Sequence, residues 1–177
     1  MGYNSYKKNG AYHWDWYRGA KKTYVRHVSF LKRWVHERDA IDIGAGDGLI
    51  THELTIRGVD NDTLAIKLAG EHGVKIDFGN ASFLPYKNGQ FESALMSDTL
   101  EYFGNIARPL REARRVISKY LYVSLPLTER FTEPGHKNYW TPKELVQNIE
   151  KAGFKLAEAP RKKVDRLHYY FKFKKVA

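Results

Sequence analysis

Apolar positions along the chain recur with two different periods, and the alternation between them predicts its elements. Over 20–36, Val25, Val28, Phe30, Leu31, Trp34 and Val35 return at roughly helical spacing with Lys and Arg between them, which predicts an amphipathic helix packed on a sheet. Short apolar runs follow at Ala40–Ile43, Thr55–Val59, Val74–Phe78, Phe91–Met96 and Tyr120–Leu125, and read as strands. Helical segments lie between them: Asn61 and Asp62 are placed to cap one that runs through Ala69 and closes near Gly70 and Gly73, and Pro109–Ile117 is another. Thr141-Pro142-Lys143-Glu144 has the spacing of a capping box with proline at the first helical position, for a helix to Ala152 with Gly153 behind it. Two further strands are expected near Phe154–Ala157 and Leu167–Phe173, with Tyr169, Phe171 and Phe173 sharing one face of the latter. The order predicts an α/β fold: a doubly wound, mostly parallel seven-stranded sheet ending in an antiparallel C-terminal strand pair. One domain over 1–177 accommodates it, with 1–37 as lid and helix and 38–177 as core.

Composition narrows this frame. A chain of 177 residues can bury a sizeable core, and the absence of cysteine excludes disulfides, thiolate metal sites and a cysteine nucleophile. No apolar run approaches the ~18 residues of a membrane span, and the opening MGYNSYKKNG lacks the apolar stretch of an export signal, so a cytoplasmic protein is expected. The net charge of +10 is segregated: residues 1–40 carry nine Lys and Arg against three acids, 151–177 nine against two, and the middle twelve against fifteen. Basic flanks of this kind suit solvated helix faces, or a polyanion such as RNA.

The most informative residues are Ile41-Asp42-Ile43-Gly44-Ala45-Gly46-Asp47-Gly48. A strand ending in Gly-x-Gly turns sharply and lets a ligand approach main-chain atoms that a Cβ would screen. Gly48 follows Gly46 after one residue, whereas the dinucleotide fingerprint needs two, so that fingerprint does not fit. The next strand ends in Gly58-Val59-Asp60-Asn61, and a carboxylate at that strand tip is placed to accept both hydroxyls of a ribose; a helix-capping role is the plain alternative.

With these motifs in order, the chain resembles the class I S-adenosylmethionine-dependent methyltransferases, in particular the small ubiquinone-biosynthesis-type group, over roughly residues 38–158. IDIGAGDG looks like the family's first motif and GVDND its ribose-binding strand end; DFGNASFLPYKNGQFESALMSDTLEYF, PLREARRVISKYLYVSLP and HKNYWTPKELVQNIEKAGF follow in register. The resemblance implies a Rossmann-like methyltransferase fold and S-adenosyl-L-methionine as cofactor. It implies that Gly44, Ala45 and Gly46 face the methionine part, with Asp42 supporting the loop. Asp60 would take the ribose, Asn61 would border the adenine, Asn80 and the Ala81 N–H would bond its edge, and Ser97 and Asp98 would lie beside the methionine amino group and the reacting methyl. Three departures stand out: the first helix must be short, Tyr102 replaces a common histidine, and no Pro-Gly-Gly precedes the fifth strand, which implies a tight turn at Ser118-Lys119.

Methyl transfer from a sulfonium needs an acceptor held in line, and a base where the acceptor is weakly acidic. His136 in EPGHKNYW is the catalytic candidate, with His13, Tyr17, Glu101 and Tyr139 behind it. The aromatic YHWDWY at 12–17 is expected to lie across the mouth as a lid or to pack on the sheet. Without cysteine, C5 methylation of pyrimidines is excluded, and Ser97-Asp98-Thr99-Leu100 lacks the Pro-Pro motif found in enzymes that methylate exocyclic base amines. A small-molecule, lipid or sugar acceptor is the leading expectation. RNA, a non-catalytic cofactor-binding role and a nicotinamide oxidoreductase are the alternatives, and no metal is expected.

Overall fold

The structure, a computed structural model, describes residues 5–126, 135–162, 164–165 and 167–176. One sheet organises these residues. Its strands are β1 (Ala40–Ile43), β2 (Arg57–Asp60), β3 (Ile76–Phe78), β4 (Phe91–Ser97), β5 (Ile117–Pro126), β6 (Phe154–Leu156), β7 (Arg161–Lys162) and β8 (His168–Lys175). They lie in the order β3-β2-β1-β4-β5-β8-β6, with β7 also paired to β8. The first five are parallel, and β8 runs antiparallel to β5, β6 and β7.

Seven helices surround the sheet: α1 (Ser5–Asn9), α2 (Tyr12–Arg18), α3 (Lys22–Trp34), α4 (Leu49–Leu54), α5 (Thr63–Glu71), α6 (Ala107–Val116) and α7 (Pro142–Lys151). On α3 the apolar stripe closes over one face of the sheet, where Phe30, Leu31 and Trp34 pack with Leu95, Tyr122 and Tyr170. Phe171 and Phe173 point to the opposite face, against α6 and α7, as their spacing of two requires. Local chemistry starts the helices as expected: Asp62 caps α5 by accepting from the Leu64 and Ala65 N–H groups, and Thr141 and Glu144 form both halves of the capping box. The short first helix is α4, with only six residues.

Three expectations need correction. The sheet has eight strands, because β8 is long enough to be bordered by β6 along one half and by the two residues of β7 along the other. Two residues are too few for an apolar period to reveal. No turn occurs at Ser118-Lys119: α6 passes straight into β5 at Ile117, and a register shift between Phe91 and Ser93 absorbs the missing loop. The aromatic 12–17 segment, expected as a lid or as packing, takes the form of a helix, α2, preceded by another, α1. The boundaries of β2 and β3 start two residues later than the apolar runs, since Thr55 closes α4 in a left-handed conformation and Val74 packs before its strand begins.

Candidate active site

Strand order reverses between β1, which extends the sheet through β2, and β4, which extends it the other way. At such a switch point the loops leaving the strands diverge and open a crevice at their C-terminal ends. Here the crevice is a cavity of about 780 Å³. Every site residue singled out in the sequence lines it: Asp42, Gly44, Ala45, Gly46, Asp60, Asn61, Asn80, Ala81, Ser97, Asp98 and His136. His13 and Glu101 line it too, whereas Tyr17 bonds Glu53 away from it and Tyr139 stands exposed outside it.

The floor is built by the loop after β1. Gly44 and Gly46 have φ of 85° and 56°, a region that side chains disfavour. A Cβ on Gly44 would lie 2.5 Å from Thr99 Cγ2, and one on Gly46 would lie 2.1 Å from Tyr6 Oη. The loop is tied to β2: Gly44 N–H and Ala45 N–H donate to the Val59 carbonyl, and Gly46 N–H donates to Asp60 Oδ2 at 2.8 Å. Asp60 Oδ1 accepts from Asp62 N–H at 2.8 Å, and the Asn61 N–H is a third backbone donor to the carboxylate. Burial raises the Asp60 pKa, against these backbone donors. Beneath the loop Asp42 is buried and accepts from Thr51 Oγ1 at 2.8 Å; desolvation outweighs that bond and pushes its pKa up to about 7. Asn80 turns its Oδ1 onto the Ser82 N–H at 2.8 Å, and exposes its amide at the adenine end expected from the sequence.

The N-terminal helices form the roof, anchored by one residue the sequence reading passed over. Asp47 is 1% exposed and accepts from the His13 N–H (3.1 Å) and the His13 ring (3.1 Å), while its carbonyl accepts from Trp14 Nε1 at 2.7 Å. Tyr6, Tyr12, His13, Trp16 and Tyr24 then make a connected aromatic wall, with His13 stacked on Tyr24 at 5.4 Å. Trp14 turns outward to stack on His72 beside α5, so the segment both packs and roofs.

At the far wall, Ser97 and Asp98 leave β4, and Asp98 adopts φ 48°, a conformation tolerated by Asp but costing most side chains. His168, the first residue of β8, faces Asp98 across 3.0 Å. Its other nitrogen bonds the buried Asp165. His136 packs edge-on against Tyr102 at 4.8 Å and lines the same cavity. Asp165, His168 and His27 carry no sequence motif. His27 could have been noticed as the polar residue on the apolar stripe of α3, three after Tyr24 and four before Leu31.

A glycine cradle, a strand-tip carboxylate and a switch-point cavity in this sheet order give the chain the Rossmann-like fold seen in class I S-adenosylmethionine-dependent methyltransferases. Residues 41–121, from β1 into β5, match the family described as a methyltransferase domain. An uncharacterized protein of Methanocaldococcus jannaschii is 24% identical over 170 residues, covering 86% of this chain and 83% of its own. The structure of a Thermotoga maritima S-adenosylmethionine-dependent methyltransferase, described as a possible histamine N-methyltransferase, superposes with a TM-score of 0.79 at 21% identity, covering 96% of this chain and 98% of that one. The magnesium protoporphyrin IX methyltransferase of Synechocystis, with bound S-adenosylhomocysteine, superposes with a TM-score of 0.68 at 13% identity, covering 88% and 86%. At these identities the superpositions speak for the fold. The domain match carries the methyltransferase class for residues 41–121, and the matches do not single out the ubiquinone-biosynthesis-type group.

Proposed function

We propose that the protein transfers the methyl group of S-adenosylmethionine to a small-molecule acceptor held beneath the N-terminal aromatic roof. One observation carries the reading: a single cavity of about 780 Å³ runs from the glycine cradle to the Asp98–His168 wall and is covered by Tyr12, His13 and Trp16. That volume lies within the ~300–1,000 Å³ of small-molecule sites and suits a cofactor with a compact acceptor beside it. The residues fit the cofactor. The missing Cβ atoms of Gly44 and Gly46 let Thr99 and Tyr6 close directly on the cradle loop, and Asp98 Oδ1 is buried with no hydrogen-bond partner among the described residues, an acceptor suited to an ammonium group. When bound, the cofactor supplies an electrophilic methyl; the protein holds the acceptor in line with it and keeps water out. The small-molecule descriptions of the Thermotoga and Synechocystis proteins favour the same class of acceptor.

The RNA alternative draws on the basic flanks. Two cations of the C-terminal flank, Lys151 and Lys175, join Arg111, Arg114 and Arg115 of α6 in a groove beside Gly89, at the end of the sheet where the parallel strands begin and so opposite the cavity. Three of these cations serve the fold: Arg114 donates to the Gly153 and Val176 carbonyls, Arg115 pairs with Glu112, and Lys175 donates to the Ile117 carbonyl. His136 remains a candidate base at the mouth. Among the described residues no helix is long and apolar enough to cross a membrane.

Calorimetry with S-adenosylhomocysteine, followed by labelled-methyl transfer to a panel of amines, phenols, sugars and lipids, tests the proposal. Micromolar binding with turnover of a panel compound supports it. Tight NAD binding in place of S-adenosylhomocysteine refutes it, as does turnover confined to RNA with affinity falling steeply as salt rises.

A further inference from the structure

Behind the Asp98–His168 wall lies a buried polar chain whose proton directions can be assigned. Asp165 accepts from the Leu167 and His168 N–H groups (2.9 and 3.0 Å), and its Oδ2 takes both the His168 ring and the Tyr170 hydroxyl, the latter at 2.9 Å. Tyr170 has one proton and spends it on Asp165. Its oxygen must therefore accept from His27 Nδ1, 2.8 Å away. His27 Nε2 is then an acceptor and takes the Ser97 hydroxyl proton at 3.1 Å, and Ser97 in turn accepts from Ser124 at 2.8 Å. All protons of the chain point toward Asp165. This fixes Asp165 as an anion and His27 as a neutral Nδ1–H tautomer, and both hold the imidazole of His168 with Nδ1 bound and Nε2 facing the cavity.

We propose that His168 is the acid–base residue of the acceptor half of the cavity, with Asp165 as its positioning residue and Asp98 as the link between its protonation and occupancy of the cofactor site. The acceptor is accordingly an N–H or O–H compound, an amine or a phenolic hydroxyl, that sheds a proton as it is methylated. This rests on the cofactor reading given above. In the step, the acceptor's lone pair forms the bond to the methyl carbon, the carbon–sulfur bond breaks with its pair going to sulfur, and the surplus acceptor proton passes to His168 Nε2.

In the ligand-free protein Nε2 is already engaged, donating to Asp98. The charged and titratable groups facing the ring are Asp98 from the end of β4, Asp165 from the turn before β8, His27 from α3 and Tyr170 from β8. Burial works against a charged ring, but Asp98 and then Asp165 outweigh it and push His168 up to about 10; the same contact holds Asp98 low in spite of its own desolvation. His27, desolvated and beside the charged His168, is pushed down to about 3, which agrees with its assigned tautomer. Asp98 has one free oxygen, Oδ1, turned away from His168. With a cation held there, the charge Asp98 offers to His168 is partly neutralised, the ring's hold on its proton weakens, and Nε2 is free to act as a base at a lower pH than in the ligand-free protein.

The test is an NMR titration of His168 in the full chain labelled at histidine, with and without saturating S-adenosylhomocysteine. The expected result is a midpoint near 10 without ligand that falls by at least about one unit when the ligand binds. In the ligand-free Asp98→Asn variant it falls by about 1–3 units. A midpoint that stays within a few tenths of a unit on binding, or in Asp98→Asn, overturns the proposal. If S-adenosylhomocysteine does not bind the parent at all, the cofactor reading has failed instead, and the Asp98→Asn titration alone decides the Asp98–His168 link. In labelled-methyl transfer, His168→Gln is expected to lose at least 100-fold in kcat while its affinity for S-adenosylhomocysteine rises about tenfold, the reciprocal of the shift; equal turnover overturns the catalytic role, as does a parent enzyme that methylates only acceptors with no proton to lose.

Discussion

Replacing Asp47 by alanine tests whether one buried carboxylate holds the roof over the cavity. Three interactions bind α2 to the cradle loop here. The carboxylate accepts from the His13 N–H and from its ring, both at 3.1 Å, and the Asp47 carbonyl accepts from Trp14. Asp47→Ala removes the first two and spares the third. The bond to the backbone N–H is charge-assisted and is worth about 1.5–3 kcal/mol, partly because its loss leaves a donor unpaired. The ring bond involves a side chain 24% exposed, and is discounted to about 0.5 kcal/mol. The expected cost is therefore about 2–3 kcal/mol. For a chain of this length it lowers Tm by roughly 4–12 °C and shifts the urea midpoint with little change in slope. A double-mutant cycle with His13→Ala separates the parts, because the ring bond vanishes in that background and the backbone bond survives. Limited proteolysis should cut the variant first between α1 and α3. A loss below about 0.5 kcal/mol, or unchanged cleavage, would refute the anchoring argument.

Three further outcomes follow from geometry already given. Asp42 holds a proton in the folded state up to about pH 7 that the unfolded chain releases near pH 4, so it favours folding below that window and opposes it progressively as pH rises to 7. Asp42→Asn keeps a carbonyl for Thr51, and urea midpoints at pH 5 and 8 should show it gaining roughly 2–4 kcal/mol on the parent between the two. Gly44→Ala places a Cβ 2.5 Å from Thr99 at φ 85°, and should cost about 1–3 kcal/mol in thermal denaturation and at least tenfold in calorimetric affinity for S-adenosylhomocysteine. Thr141→Ala breaks the exposed capping box and should cost about 0.5–2 kcal/mol in stability, with ligand affinity unchanged.

How far the sequence foretold this molecule depends on the range of the interactions involved. β1, α3 and the capping box of α7 are written in neighbouring residues, and all three emerge where their patterns place them. The cradle and Asp60 were legible for the same reason: a glycine turn and a strand tip are local features. The acid–base wall was not. His27 meets Ser97 and Tyr170 across separations of 70 and 143 positions, and nothing near any of the three marks them as partners. Asp165 belongs to no motif and His168 falls within an expected strand, so neither marks a site until β8 is placed beside β5. Asp47 was hidden differently, inside the very motif that drew attention, because its partner is a backbone N–H in a segment read only for its aromatic rings.

The position of β8 also sets the order in which the molecule can be completed. It pairs along β5 from Tyr120 to Pro126, yet its first residue, His168, follows Pro126 by about forty positions. During synthesis at about 5–20 residues per second, the edge of β5 carrying Tyr122, Val123 and Leu125 therefore waits some seconds for its neighbour. An unpaired apolar edge is a template for association with other chains. Truncations that remove β8 should leave that edge permanently open. Such fragments should be recovered as aggregates, and not as a smaller soluble core.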